Sequence, residues 1–90
     1  MTVDTGRSVR VAVRYFAAAQ AAAGSDSADL TVRAGTTLDE LLAGLGDVNP
    51  ELARVLLRCS FLCDGVAVRD RDQPLQPGTT IDVLPPFAGG

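Results

Sequence analysis

From Val9 to Phe16 the chain alternates: Val9, Val11, Val13 and Tyr15 share one face, and Arg10, Ala12, Arg14 and Phe16 the other. A period of two predicts a half-buried strand. The pattern changes at Ala17–Ala23, a run of strong helix formers that stops at Gly24, where a left-handed C′ residue fits. Residues 25–27 are a loop, and Ala28–Arg33 is a second strand with Leu30 and Val32 inward, pairing with the first. After an Ala34-Gly35 turn, Thr37 and Glu40 have the spacing of a capping box. Leu38, Leu41, Leu42 and Leu45 follow at i, i+3, i+4 and i+7, the apolar face of the main helix, which Gly46 is expected to end. Asn49-Pro50 reads as a fresh N-cap and first-turn proline, opening a helical segment to about Arg58 with Leu52, Val55 and Leu56 inward.

The rest of the chain is strand-like. Phe61–Cys63 and Val66–Val68 flank Asp64-Gly65, a two-residue hairpin signal. Arg69–Gln73 is a solvated turn, Pro74-Leu75 and Pro77-Gly78 punctuate a loop, and Thr79–Leu84 is the last strand with Ile81 and Val83 inward. Strands at both ends of one long amphipathic helix predict an α+β roll, a mixed sheet packed on that helix with extra short helices. The expected organisation is a flexible segment over 1–8, one domain over 9–84 and an extended tail over 85–90.

Ninety residues, 47% of them apolar, allow a single core, built mostly from aliphatic side chains because the aromatics are only Tyr15, Phe16, Phe61 and Phe87. The formal net charge of −3 argues against a nucleic-acid or anionic-membrane partner and for a basic protein surface. There is no histidine, which removes the usual general base and commonest metal ligand. All eight basic residues are arginine, so there is neither Schiff-base chemistry nor a side-chain amine for isopeptide linkage to another copy. Cys59 and Cys63 fit neither a zinc nor a redox motif. On one strand they would lie about 13 Å apart, too far for a disulfide, and both read as small semi-buried hydrophobes. The acidic pairs Asp39-Glu40 and Asp70/Asp72 read as helix-start charge and a solvated turn. No apolar run is long enough to predict a signal peptide or a membrane span, so a cytoplasmic location is expected.

The candidate chemistry is at the end. Gly89-Gly90 follows Leu84-Pro85-Pro86-Phe87-Ala88. Glycine loses the most backbone entropy on ordering, so a terminal Gly-Gly is either a frayed end or a terminus kept slim for a narrow channel. Pro85-Pro86 favours a stiff extended stretch in front of it, and Phe87 is either packed on its own sheet or an anchor for a partner pocket.

The motifs Val13-Arg14-Tyr15-Phe16-Ala17-Ala18-Ala19, Thr36-Thr37-Leu38, Asp64-Gly65, Pro77-Gly78, Ile81-Asp82-Val83 and Leu84-Pro85-Pro86-Phe87-Ala88-Gly89-Gly90 resemble those of the MoaD/ThiS family of sulfur carriers. The resemblance covers nearly all of 9–90, and the ending and the helical stretch Asn49–Arg58 are more like the molybdopterin synthase small subunits than the thiamine carriers. Cys63-Asp64-Gly65 stands where the family often has Val-Asn-Gly; Asp-Gly suits the same turn. The resemblance implies a ubiquitin-like β-grasp fold and a non-catalytic carrier subunit of a transferase. It implies that the Gly90 carboxylate is adenylated and converted to a thiocarboxylate, that Gly89 keeps the approach open, and that Leu84, Pro85, Pro86, Phe87 and Ala88 bind partners. The implied partners are a MoaE-like large subunit, in a heterotetramer, an E1-like (MoeB-like) adenylating enzyme that uses ATP, and a sulfur donor protein. The acceptor would be cyclic pyranopterin monophosphate, with acid/base residues on the large subunit and no cofactor or metal held by this chain. The alternatives are a carrier for thiamine or cysteine synthesis, and a ubiquitin-like binding module whose Gly-Gly is never activated.

Overall fold

The computed structural model describes residues 7–86. Its elements are β1 (Ser8–Tyr15), α1 (Ala17–Ala23), β2 (Ser27–Arg33), α2 (Leu38–Val48), α3 (Pro50–Leu56), β3 (Ser60–Cys63), β4 (Val66–Ala67) and β5 (Thr80–Leu84). The five strands form one mixed sheet in the order β2-β1-β5-β3-β4. Only the β1–β5 pair is parallel, with Val13 opposite Ile81 and Tyr15 opposite Val83; the other neighbours are antiparallel. This is the β-grasp architecture, with β5 at the centre.

The alternation in β1 survives as burial: Val11, Val13 and Tyr15 are buried while Arg10 and Arg14 are exposed. They meet Ile81 and Val83 of β5, Phe61 of β3, and Leu38, Leu41 and Leu42 of α2 in one core. Leu45, the fourth leucine of that face, is only partly buried at its edge. Leu52 and Leu56 of α3 complete the core, with Val55 half-buried beside them.

Caps set the element ends. Thr37 and Glu40 form the reciprocal capping box of α2, Glu40 N–H to Thr37 Oγ1 at 3.2 Å and Thr37 N–H to Glu40 Oε1 at 3.0 Å. Gly24 ends α1 at φ 81°, and Asp64 and Gly65 turn the β3–β4 hairpin at φ 50° and 83°. Both hairpin residues are thus left-handed, as a type I′ turn requires.

Gly46 does not end the main helix. α2 runs through it to Val48, and Asn49, extended at φ −142°, is at once the C-cap of α2 and the N-cap of α3. The glycine serves packing instead: a Cβ on it would lie 2.9 Å from the Cβ of Ala53 in α3. α3 stops at Leu56, two residues short of the expected Arg58. Cys59 lies before β3 rather than on it, so the strand-based spacing of the two thiols does not apply. Leu75, expected only as loop punctuation, is buried, its N–H donating to Thr36 O at 2.8 Å.

The tail exit as candidate functional site

β5 leads directly to the tail. Its Ile81 and Val83 have no exposed surface, and it is bonded on both sides, to β1 and β3. Leu84 and Pro85 are half-buried and Pro86 is exposed where the chain leaves the sheet. Of the expected site residues, these three are therefore placed together at one point on the domain. Phe87, Ala88, Gly89 and Gly90 lie outside the described residues.

Two helices frame the exit. At the β1–α1 corner, Phe16 N–H donates to Val83 O at 3.3 Å and Ala17 takes a left-handed φ of 51°. That conformation is costly for a non-glycine residue, and it turns α1 back beside the end of β5. Asn49 fixes the second wall: its side chain accepts from Leu52 N–H at 3.1 Å and donates to Ala22 O of α1 at 2.9 Å. One amide thus caps α3 and ties it to α1. Between Ala18 of α1, residues 54–58 at the end of α3 and just past it, and Pro85-Pro86 lies an open groove of about 420 Å³.

On the opposite, helix-free side of the sheet, Arg14 grips Asp82 with two bonds, Nε to Oδ1 at 2.7 Å and Nη2 to Oδ2 at 3.0 Å. Asp82 is 7% exposed. The carboxylate raises the Arg14 pKa further, chiefly through its hydrogen bond. The same guanidinium lies 5.7 Å from the centre of the Phe16 ring, which is 39% exposed. Sequence reasoning placed Arg14 and Phe16 outward but gave them no partner. The signal was available: Asp82 has the opposite parity to buried Ile81 and Val83, so it too points outward.

Several other polar groups have structural tasks. Asp39 sits 3.9 Å from Arg71, whose guanidinium covers the Phe61 ring at 4.7 Å. Asp70 accepts from Asp72 N–H and from the Gln73 side chain, which lower its pKa, the Gln73 bond most. Cys59 donates from Sγ to Val55 O at 3.2 Å, and burial pushes both thiols above their ordinary pKa, helped at Cys63 by Asp64 and Asp82. Among the described residues no group of three His, Cys, Asp or Glu is placed to hold a metal, and no helix is long and apolar enough to cross a membrane.

The model of the ThiS family matches residues 13–90, most of the chain and the whole tail. The chain belongs to the ThiS family. No curated protein matches it. Among solved structures, this ThiS-family chain is similar to SAMP1 of Haloferax volcanii at 24% identity and a TM-score of 0.77, over 90% of this chain and 99% of that one. It is similar to small archaeal modifier protein 1 of Methanosarcina acetivorans at 24% identity and 0.76, over 94% and 100%. It is also similar to a chain of the Helicobacter pylori complex between subunits 1 and 2 of molybdopterin-converting factor, at 24% identity and 0.65, over 91% and 100%. These likenesses establish the shared β-grasp fold.

Proposed function

We propose that the chain is a sulfur carrier whose working group is the Gly90 carboxylate, and that it serves as the small subunit of molybdopterin synthase. The observation that carries this reading is the placement of the tail's base, Leu84, Pro85 and Pro86. A family match that runs to residue 90 coincides with a tail base mounted on the central strand, with Pro85 and Pro86 already clear of the sheet.

A carboxylate is a poor electrophile. An E1-like enzyme activates it with ATP, forming the acyl-adenylate and releasing pyrophosphate. Sulfur at the sulfide level, brought by a donor protein, then adds to the acyl carbon and AMP leaves, giving a thiocarboxylate. Its sulfur adds to an electrophilic carbon of the pterin acceptor, joining the two as an acyl thioester. Water then cleaves the acyl C–S bond, which leaves the sulfur on the acceptor and returns the Gly90 carboxylate. Gly89 keeps the approach slim. Six extended residues from Pro85 to Gly90 reach at most about 20 Å, and the two prolines lower the entropy lost on threading. Phe87 anchors the tail in the partner. The H. pylori complex of subunits 1 and 2 supports a large-subunit partner.

The archaeal neighbours, by their name of modifier proteins, support a second reading in which an amine of another protein captures the same adenylate. With no lysine in this chain, another copy offers no side-chain amine for that reaction.

The test is to incubate the protein with a cognate activating enzyme, ATP and a sulfur source and to weigh it. The wild type gains the oxygen-to-sulfur mass difference. Deleting Gly90, or adding one residue after it, moves the reacting atom by about 3.5 Å; a 1 Å misplacement alone can cost about 100-fold in rate. Both variants therefore lose the product while remaining folded. Thiocarboxylate formation at a normal rate on a variant extended past Gly90 refutes the assignment.

A further inference from the structure

We infer that the groove at the base of the tail is the docking site of the large subunit, which fills it with an apolar side chain flanked by carboxylates. This rests on the carrier reading above and adds a surface to it.

Charge is the first argument. The chain as a whole is acidic, at −3, yet this side of the groove presents Arg54 of α3 and Arg58 just past its end, four residues apart in sequence and both exposed, against the single carboxylate Glu51. Among the described residues neither arginine is in an ion pair, whereas Arg14 and Arg71 each have a carboxylate partner. Two guanidiniums held at this spacing favour carboxylates on whatever covers them.

Apolar surface is the second. Leu57 is 85% exposed at the end of α3. A single exposed leucine is ordinary, but this one shares the groove with Val55, Ala18 and Pro85. The combination of an apolar floor and a charged rim is that of an interface.

Continuity is the third. Pro85 and Pro86 are themselves a wall of the groove, so a protein that encloses residues 87–90 closes over it. A lasting subunit contact buries about 800 Å² on each partner, more than a slim tail ending in two glycines supplies. The H. pylori complex of subunits 1 and 2 of molybdopterin-converting factor holds a chain of this fold against a second subunit, which points to the large subunit as the occupant. The walls are set before binding, because Asn49 joins α3 to α1, and a preformed groove costs little ordering.

The experiment measures affinity of the full-length protein for a purified cognate large subunit by calorimetry, at low and moderate salt. The variants are the pairs Arg54→Glu/Arg58→Glu and Arg54→Gln/Arg58→Gln, and Leu57→Ser, with thermal melts to show that each is folded. Expected are a loss of about 10-fold or more for the charge reversal, with the wild-type decline in affinity with salt abolished or inverted. The Gln pair should fall between it and the wild type, and Leu57→Ser should lose about 5- to 10-fold. Affinities within about twofold of the wild type for all three folded variants overturn the inference while leaving the carrier reading intact. So does a loss confined to adenylation by the activating enzyme, which assigns the groove to that enzyme, or a gain in affinity, which means the groove holds the chain's own tail. A wild type that forms no thiocarboxylate and does not bind the large subunit fails the carrier reading itself.

Discussion

Two glycines in one helix should respond oppositely to the same substitution. Gly44 and Gly46 both lie in α2, where alanine is favoured over glycine by about 1 kcal/mol. A Cβ on Gly44 meets nothing within 4 Å, so Gly44→Ala should realise that gain. A Cβ on Gly46 would lie 2.9 Å from Ala53 Cβ and 3.4 Å from Ala53 Cα. Ala53 has no rotamer with which to yield, so relief requires α3 to move off α2. Overpacking of this kind costs about 1–3 kcal/mol. Because the propensity gain is common to both variants, the difference between them isolates the clash. At about 4–8 °C per kcal/mol for a domain of this size, Gly44→Ala should melt several degrees above the wild type, and Gly46→Ala should melt at least about 4 °C below Gly44→Ala. Thermal and urea unfolding followed by circular dichroism measures both. The double variant Gly46→Ala/Ala53→Gly should recover part of the loss, giving a coupling energy between the two sites. If Gly46→Ala stabilises as much as Gly44→Ala, the close helix contact is not there and the account of why a glycine sits inside this helix is wrong.

Leu38, 2% exposed, should lose about 2–5 kcal/mol on truncation to alanine, read from urea unfolding; a loss below about 0.5 kcal/mol would remove it from the core. For the sheet ion pair, Arg14→Ala should lower the melting temperature more than Asp82→Ala, because Asp82 is the buried partner and Arg14 the half-exposed one. A buried carboxylate left unpaired at position 82 costs about 1–3 kcal/mol, and equal effects of the two variants would contradict the burial asymmetry. The Asp70 turn should be pH-dependent. Its folded pKa is lowered, so the stability it adds is complete above the ordinary value of 3.8 and is lost as pH falls through the folded value. Amide exchange at Asp72 should therefore speed up only at acid pH, relative to neighbouring amides, and Asp70→Asn should abolish that dependence.

Local chemistry made much of the fold legible. The parity of Val9–Tyr15, the leucine spacing of α2, the Thr37/Glu40 box, Gly24 and Asp64-Gly65 each act within a few residues, and each was readable in the chain. The failures are non-local. Gly46 looked like a helix stop because glycine at a helix end and glycine at a helix crossing are the same letter; only the approach of Ala53 distinguishes them. The burial of Leu75 depends on its bond to Thr36, and the Arg14–Asp82 pair joins residues 68 positions apart. The strand order has the same origin, since β1 and β5 stand at opposite ends of the chain. For the site, the tail motif led to Leu84, Pro85 and Pro86 at the exit. The basic side of the groove was missed because Arg54 and Arg58 become its wall only when α3 packs on α1 and α2 beside Pro85-Pro86.

The parallel pairing of β1 with β5 has a mechanical consequence. A partner that draws the tail into a channel pulls along the axis of β5. Force in that direction slides β5 lengthwise past β1 and β3, so the bonds on its two edges are loaded together in shear. A strand peeled sideways from an edge would break its bonds one at a time, as a zipper does. The domain is therefore stiffest along the line on which its working end is hauled, and tension at the tail reaches β1 without unravelling the strand that transmits it.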